Sequence, residues 1–304
     1  MYVKEAIRYS FSGHETFAFR YGWLKKGVDA VKSDPNIFSR KDSIVYLGVG
    51  KNMVRSIRHW CLATKLVTDQ NGQSKRRRML NVTEIGTKLL SGDGWDPYLE
   101  DAASLWLLHW LLITNPEKAA AWHIAFTHFV QPDFTKHELF SFFKTFTERN
   151  DIKVSQNSLS RDADCLIHTY VPSRNAKDAL LEDSLDCPFV ELGLVQPMYD
   201  VDTFRFSIGP KPSLPVLVFG FAFNEFFDSV AGNRQTMNIQ DCLYGMGSPG
   251  QVFKLDENSL IEYIEAIQTL TSGDIQIDET AGLKQVYRRK SSESIEWLQD
   301  YYSN

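Results

Sequence analysis

Between residues 40 and 65, a short apolar-periodic stretch, the turn Gly48-Val-Gly50 and a second stretch from Lys51 to Lys65 commit the chain to two helices meeting at a tight corner. At 100° per residue, Met53, Ile57, Trp60 and Cys61 share one face of the second helix, and Lys51, Asn52, Arg55, Arg58 and His59 share the opposite one. Leu62 falls on that polar face, so it is expected to pack on a neighbour. Helix, glycine turn and basic helix make a helix-turn-helix pattern, whose second helix reads a groove of DNA. Two short apolar runs follow, Leu66-Val-Thr68 and Met79-Leu-Asn-Val82, separated by a segment containing Asn71-Gly72, the strongest short-range hairpin signal. Thr83 then opens a short helix through Leu90. The hairpin carries Lys75, Arg76, Arg77 and Arg78. A basic run is ordinarily a solvated face, but beside a basic helix it reads as the wing of a winged helix that contacts DNA or RNA.

Charge sets this part of the chain against the rest. Residues 1–92 hold 17 Lys and Arg against 7 Asp and Glu, and residues 93–304 hold 16 against 31. A basic end on an acidic body points to a polyanion read by one domain. The turn-rich Ser91-Gly-Asp-Gly94, with Pro97 behind it, supplies the boundary. The expected organisation is a basic winged-helix DNA-binding domain at 1–92, a helical, second winged-helix-like domain at 93–188 and a C-terminal α+β domain at 189–304. The expected fold class is mainly α with small β wings, α+β overall.

At 304 residues and 43% hydrophobic content the chain can bury its core without staples. Cys61, Cys165, Cys187 and Cys242 are widely spaced, which argues against a zinc ribbon, a redox dithiol or a disulfide framework. The Met1-Tyr-Val-Lys start has no apolar signal region, and the longest apolar stretch, Ala102 to Ile113, is far short of a bilayer span. A cytoplasmic location and no membrane partner are expected.

The opening block Phe11-Ser-Gly-His-Glu-Thr-Phe17 places Ser12 and Glu15 at the spacing of a helix capping box. A helix is expected from there to about residue 31, with Phe17, Tyr21, Leu24, Val28 and Val31 on one stripe and Arg20, Lys25 and Lys26 at its margins. His14 is then either an exposed first-turn residue or, with Glu15, a catalytic pair at a helix start whose N–H groups face an anion.

Beyond residue 94, helices are expected over Leu99–Ile113 and Glu117–Val130, each stopped by a proline, and from a second capping box at Thr135 and Glu138 to Asn150. Residues 155–171 carry Leu159, Ala163, Leu166, Ile167 and Tyr170 on one face, repeating the helix-turn-helix arrangement. The opposite face balances its charges, which favours packing or protein contact over DNA. Asp162 and Asp164 stand about 200° apart on that helix and do not chelate together. Residues 189–220 read as short strands, with Asp200 and Asp202 on one side, followed by helices near 219–230 and 260–270 and one ending at Tyr302. Gly245-Met-Gly-Ser-Pro-Gly250 matches a dinucleotide-loop expression. A helix precedes it and the strand-like Gln251–Leu255 follows it, the reverse of the required order, so it reads as a turn. No P-loop, nucleophile elbow, H-E-x-x-H or repeat is visible.

Phe11–Phe17, Trp23-Leu-Lys-Lys26, Gly48-Val-Gly-Lys-Asn-Met-Val54 with Arg58 and Trp60, Leu243–Gly250, Phe253-Lys-Leu-Asp256 and Asp278–Leu283 together resemble the bacterial family known as domain of unknown function 4007, which includes SspB-type proteins. The resemblance runs from about residue 10 to residue 290. It implies a DNA-nicking component of the Ssp DNA phosphorothioation system in antiphage defence, with double-stranded DNA as substrate. The implied partners are a desulfurase, an ATPase and a pyrophosphatase-like subunit. Hydrolysing a phosphodiester calls for charge stabilisation, so Mg2+ or Mn2+ is the expected cofactor. The residues expected to touch DNA are Arg20, Lys25, Lys26, Lys51, Asn52, Arg55, Arg58, His59 and Lys75 to Arg78, and those expected in catalysis are His14 and Glu15. The other reading is a non-catalytic winged-helix targeting or regulatory subunit that docks partner proteins.

Overall fold

A computed structural model of the chain describes residues 7–69, 79–172, 187–198, 202–232, 234–280, 282–290 and 292–303. It is a mixed α+β fold with small antiparallel sheets. By compactness it divides into two units, Met1–Ala125 with Asp133–Arg205, and Phe126–Pro132 with Phe206–Asn304. The charge reversal near residue 92 lies inside the first unit.

The first unit opens differently from the expectation. Ser12, Glu15 and Thr16 have φ of 63°, 51° and 70°, a left-handed conformation that no helix can propagate. There is no capping box at Ser12, because its backbone N–H is claimed by Asp162, far along the chain. Helix α1, Trp23–Ser33, starts only after Gly22 at φ 78°, and Leu24, Val28 and Val31 are buried as their spacing predicts.

Helix α2, Ser43–Leu47, is stopped by Gly48 in the left-handed region, and α3, Lys51–Ala63, follows at once. Val54, Ile57, Trp60 and Cys61 of α3 are buried. Gly27 of α1 meets this face so closely that a Cβ there would lie 2.3 Å from Cys61 Sγ and 2.9 Å from Ile57. Leu62 is buried too, and its backbone carbonyl accepts from the Asn115 amide at 3.0 Å.

Strands β1, Val67–Asp69, and β2, Leu80–Val82, pair antiparallel, Val67 opposite Val82 and Asp69 opposite Leu80. The Asn71-Gly72 turn and the basic run Lys75 to Arg78 lie outside the described residues. Helix α4, Glu84–Leu90, is capped by the Thr83 side chain.

Helix α5, Ala102–Ile113, is apolar all round and buried over all but its first residue, as a helix through the middle of a core must be. It begins three residues later than expected, where Asp101 caps it and Leu99 has φ 57°. Then come α6, Ala120–Thr127, β3, Asp133–Thr135, and α7, Lys136–Arg149, whose capping box is complete in both directions. Helix α8, Gln156–Tyr170, buries the apolar face expected of it. A 3-10 turn, Pro188–Leu192, leads to β4, Val195–Pro197, and β5, Thr203–Phe206. The three strands are ordered β3-β5-β4. Asp200, half of the expected carboxylate pair, lies outside the described residues.

The second unit runs α9, Val216–Ala231; β6, Thr236–Asn238; α10, Ile239–Tyr244; α11, Pro249–Val252; α12, Glu257–Leu270; β7, Ile275–Thr280; β8, Leu283–Arg288; and α13, Ser294–Tyr302. Its sheet is ordered β6-β8-β7, so the last strand again sits between the first and the second. Residues 251–255 are not a strand. Pro249 at the first helical position and the Ser248 side chain capping Gln251 start α11 there, so of the turn expected over 245–250 only residues 245–248 are outside a helix. Among the described residues no helix is long and apolar enough to cross a membrane.

Candidate nucleic-acid interface

A cleft of about 830 Å³ opens where the start of α1 faces the α2–α3 corner. Arg20, Tyr21, Lys26, Lys51 and Asn52 line it together with Gly48, Val49 and Gly50, and among the described residues no carboxylate lines it. Lys51, Asn52 and Lys26 are exposed. Gly50 caps α3 without any side-chain hydrogen bond, and the first turn holds no acid. The positive end of the α3 dipole therefore adds to the lysines and does not oppose them. The Arg20 guanidinium lies 5.4 Å from the centre of the Trp23 ring, and Lys26 Nζ donates to the Leu47 carbonyl at 2.9 Å, which fixes both cations at the rim. Such an opening can take an anion and hold it with several donors.

Four of the expected DNA contacts, Arg20, Lys26, Lys51 and Asn52, thus meet at one place. The others are placed elsewhere. Arg55 is exposed one turn along α3 and lies 3.4 Å from Glu15. Arg58 donates to Asp69 at 3.1 Å, and Lys118 reaches the other oxygen of the same carboxylate at 3.1 Å, so Arg58 is held by an intramolecular partner away from the cleft. Lys25 pairs with Asp29 one turn on. His59 does not stand out toward solvent. Its ring lies beside Gly13, where a Cβ would come within 2.6 Å of Nδ1, and its Nε2 is buried with no partner. Burial, followed by His14, Lys118 and Arg58, pushes its pKa down to about 3.

His14 is 1% exposed. Its Nδ1 accepts the Thr16 backbone N–H at 3.1 Å, so the ring proton sits on Nε2, which donates to Asp162 Oδ1 at 2.8 Å. Asp162, equally buried, also takes the Ser12 N–H on both oxygens at 3.1 and 3.0 Å. Trp122 and Trp60 close over the imidazole with ring centres 5.6 and 6.5 Å away. The Trp60 indole N–H donates to the Phe17 carbonyl at 2.9 Å. Both nitrogens of His14 are thereby used, and the pair pins residues 11–17 to α3 and α8. Glu15 stays at the surface, half-buried beside Arg55.

Three of these groups escape a reading of the sequence. Helical spacing presents Asp162 only as a companion of Asp164, and nothing local marks it as the acceptor for a loop 150 residues earlier. The apolar stripe takes in Tyr21, yet this residue is 40% exposed and its hydroxyl donates to Glu191 on the 3-10 turn, a carboxylate that no motif singles out. Burial, then the Glu191 hydrogen bond and charge, push the phenol upward.

The family model described as "Protein of unknown function (DUF4007)" matches residues 11–302. A crystal structure of SspB superposes with a TM-score of 0.87 at 31% identity, covering 97% of this chain and 88% of that one. A crystal structure of magnesium ion-bound SspB gives 0.88 with the same identity and coverage. None of the curated proteins matches. Magnesium takes oxygen ligands, commonly one or two carboxylates completed by water and substrate phosphates. Among the described residues no group of three or more His, Cys, Asp or Glu is placed to hold an ion. The carboxylates nearest the cleft are committed, Asp162 to two N–H donors, Glu15 to Arg55 and Glu191 to Tyr21. These residues do not form a dedicated magnesium site.

Proposed function

The chain belongs to the DUF4007 family, and from that premise we propose that it is the DNA-binding component of a bacterial phosphorothioation-based antiphage system, where it nicks one strand of duplex DNA to allow sulfur modification. The likeness to SspB supports a role in that system, in the cytoplasm and alongside a desulfurase, an ATPase and a pyrophosphatase-like subunit. DNA binding rests on one observation, the carboxylate-free cleft with Arg20, Lys26, Lys51 and Asn52 at the start of α3. We read α1 to α3 with β1 and β2 as a winged helix. In that reading Lys51, Asn52 and Arg55 face the groove or its flanking phosphates, and Lys75 to Arg78 run along the backbone, where a uniform basic run positions without specifying sequence.

His14 and Glu15 act, in this reading, by placing residues 11–17 beside the cleft. The enclosure of His14 favours a second reading, a DNA-targeting or regulatory subunit that docks partners without cutting. Supercoiled plasmid separates the two. Nicked circles formed with Mg2+ or Mn2+ establish the first; retained DNA binding with no nicking under either ion, or under none, establishes the second.

A further inference from the structure

The cleft contains a group that a phosphate-binding surface does not need. Tyr21 stands at its rim, 40% exposed, next to Arg20 and just before the left-handed Gly22 that turns the chain into α1. Its hydroxyl is not left to solvent but donates to the Glu191 carboxylate. Glu191 is exposed as well, but the turn that carries it is anchored. It follows Phe189 by two residues on the Pro188–Leu192 turn, and the Phe189 ring is held between Phe19 at 4.8 Å, Tyr170 at 5.7 Å and His109 at 5.8 Å. A phenol hydrogen-bonded to a carboxylate, beside a cleft whose described polar side chains are cationic or neutral, is an arrangement in which a nucleophile has its general base within reach.

We propose that Tyr21 is the nucleophile that cuts the strand, with Glu191 as its general base. This rests on the nicking reading above. The Tyr21 oxygen attacks the scissile phosphorus and its proton passes to Glu191. The phosphorus–oxygen bond to one deoxyribose breaks, and the departing oxygen takes a proton from water in the open cleft. One phosphodiester is exchanged for another, so the strand end is left covalently joined to Tyr21 and the reverse attack reseals it. Arg20, Lys26 and Lys51 spread their charge over the phosphate oxygens as the trigonal-bipyramidal state forms. In the reverse step the free deoxyribose hydroxyl attacks the phosphotyrosine, and the protonated Glu191 returns its proton to the departing Tyr21 oxygen.

The test uses the full chain with uniformly radiolabelled supercoiled plasmid and Mg2+ or Mn2+, followed by denaturation in SDS, nuclease digestion and electrophoresis. The expected result is label migrating with the polypeptide in proportion to nicked circles. Tyr21→Phe should lose both label and nicking while its melt and DNA affinity stay within about twofold of the parent. Glu191→Gln should keep the label but slow its formation by about 10² to 10⁴. Nicking without label, or full nicking by Tyr21→Phe, overturns the nucleophile and leaves the nicking reading intact. A parent protein that binds the plasmid and neither nicks nor takes label overturns both.

Discussion

Helix α3 in the first unit and α12 in the second occupy the same place in their local order, each followed by two antiparallel strands, yet they face solvent with opposite charge. The outward side of α3 begins with Lys51, Asn52 and Arg55; that of α12 carries Glu257, Glu262 and Glu265. The shared order is a packing solution in which an amphipathic helix covers a small sheet. What the surface attracts is decided afterwards, by side chains that packing leaves unconstrained. A polyanion is drawn to the first and repelled by the second.

The largest test of this contrast is an exchange of charge. Changing Arg20, Lys26 and Lys51 together to Ala should flatten the dependence of log K on log salt by about 0.9 for each phosphate no longer neutralised, and should weaken duplex binding on the order of 10²-fold near 0.1 M salt. Glu257, Glu262 and Glu265 changed together to Gln should leave binding unchanged. Equal effects from the two triplets, measured by salt titration of affinity, would dissolve the distinction between the cleft at the start of α3 and the face of α12.

A smaller effect, on stability, probes how the first region is built. Asp162→Ala leaves the Ser12 N–H and the His14 Nε2–H without their acceptor. At about 1–3 kcal/mol for each stranded donor, a loss of about 3 kcal/mol should appear in denaturant unfolding, with weaker DNA binding as residues 11–17 come loose from α3. Unchanged stability would mean that the loop is held by its aromatic neighbours alone.

A third effect separates the two regions by pH. His59 on α3 has a folded pKa of about 3 against about 6.5 when unfolded. The unfolded chain therefore binds the extra proton between those values, and stability contributed above about pH 6.5 is lost as the pH falls toward 3. Lys254, just before α12, has its half-buried side chain's ammonium over the Phe206 ring at 4.3 Å and donating to the Phe126 carbonyl at 2.9 Å. Burial pushes its pKa down to about 7. Its unfolded form binds more protons from about pH 7 to 10.5, so stability rises with pH across that range and is flat below it. Unfolding measured across pH should lose the acidic slope in His59→Gln and the alkaline slope in Lys254→Met. A slope that survives its own substitution belongs to another group.

Where a local rule governs, the sequence is readable. The burial of Ile57, Trp60 and Cys61 on α3 and the Thr135–Glu138 box are settled within a few residues of themselves and stand as their spacing predicts, whereas Met53 is half-exposed at the cleft and His59 turns inward against Gly13. Ser12 and Glu15 show the same spacing as that box but obey a different constraint, because the carboxylate that claims the Ser12 N–H comes from α8. Spacing carries no trace of such a partner. The strands β7 and β8 escape detection for another reason. The alternation Ile275-Gln-Ile277-Asp is only four residues long, and Leu283-Lys-Gln-Val-Tyr-Arg288 does not alternate, so neither declares a strand by pattern alone. Of the cleft, its cations are legible, while the Tyr21–Glu191 pair joins residues 170 positions apart and is not.

The bond from the Trp60 indole to the Phe17 carbonyl has an optical consequence. An indole fully enclosed, with its N–H fixed and Trp122 edge-on at 5.2 Å, emits toward the blue end of the tryptophan range. Should residues 11–17 lift away, that N–H meets water and the emission moves to longer wavelength. The Trp60 share of the emission, read as the difference between the wild-type chain and a Trp60→Phe variant among its seven tryptophans, thus gauges whether the segment beside the cleft is seated as DNA is added, without any attached dye.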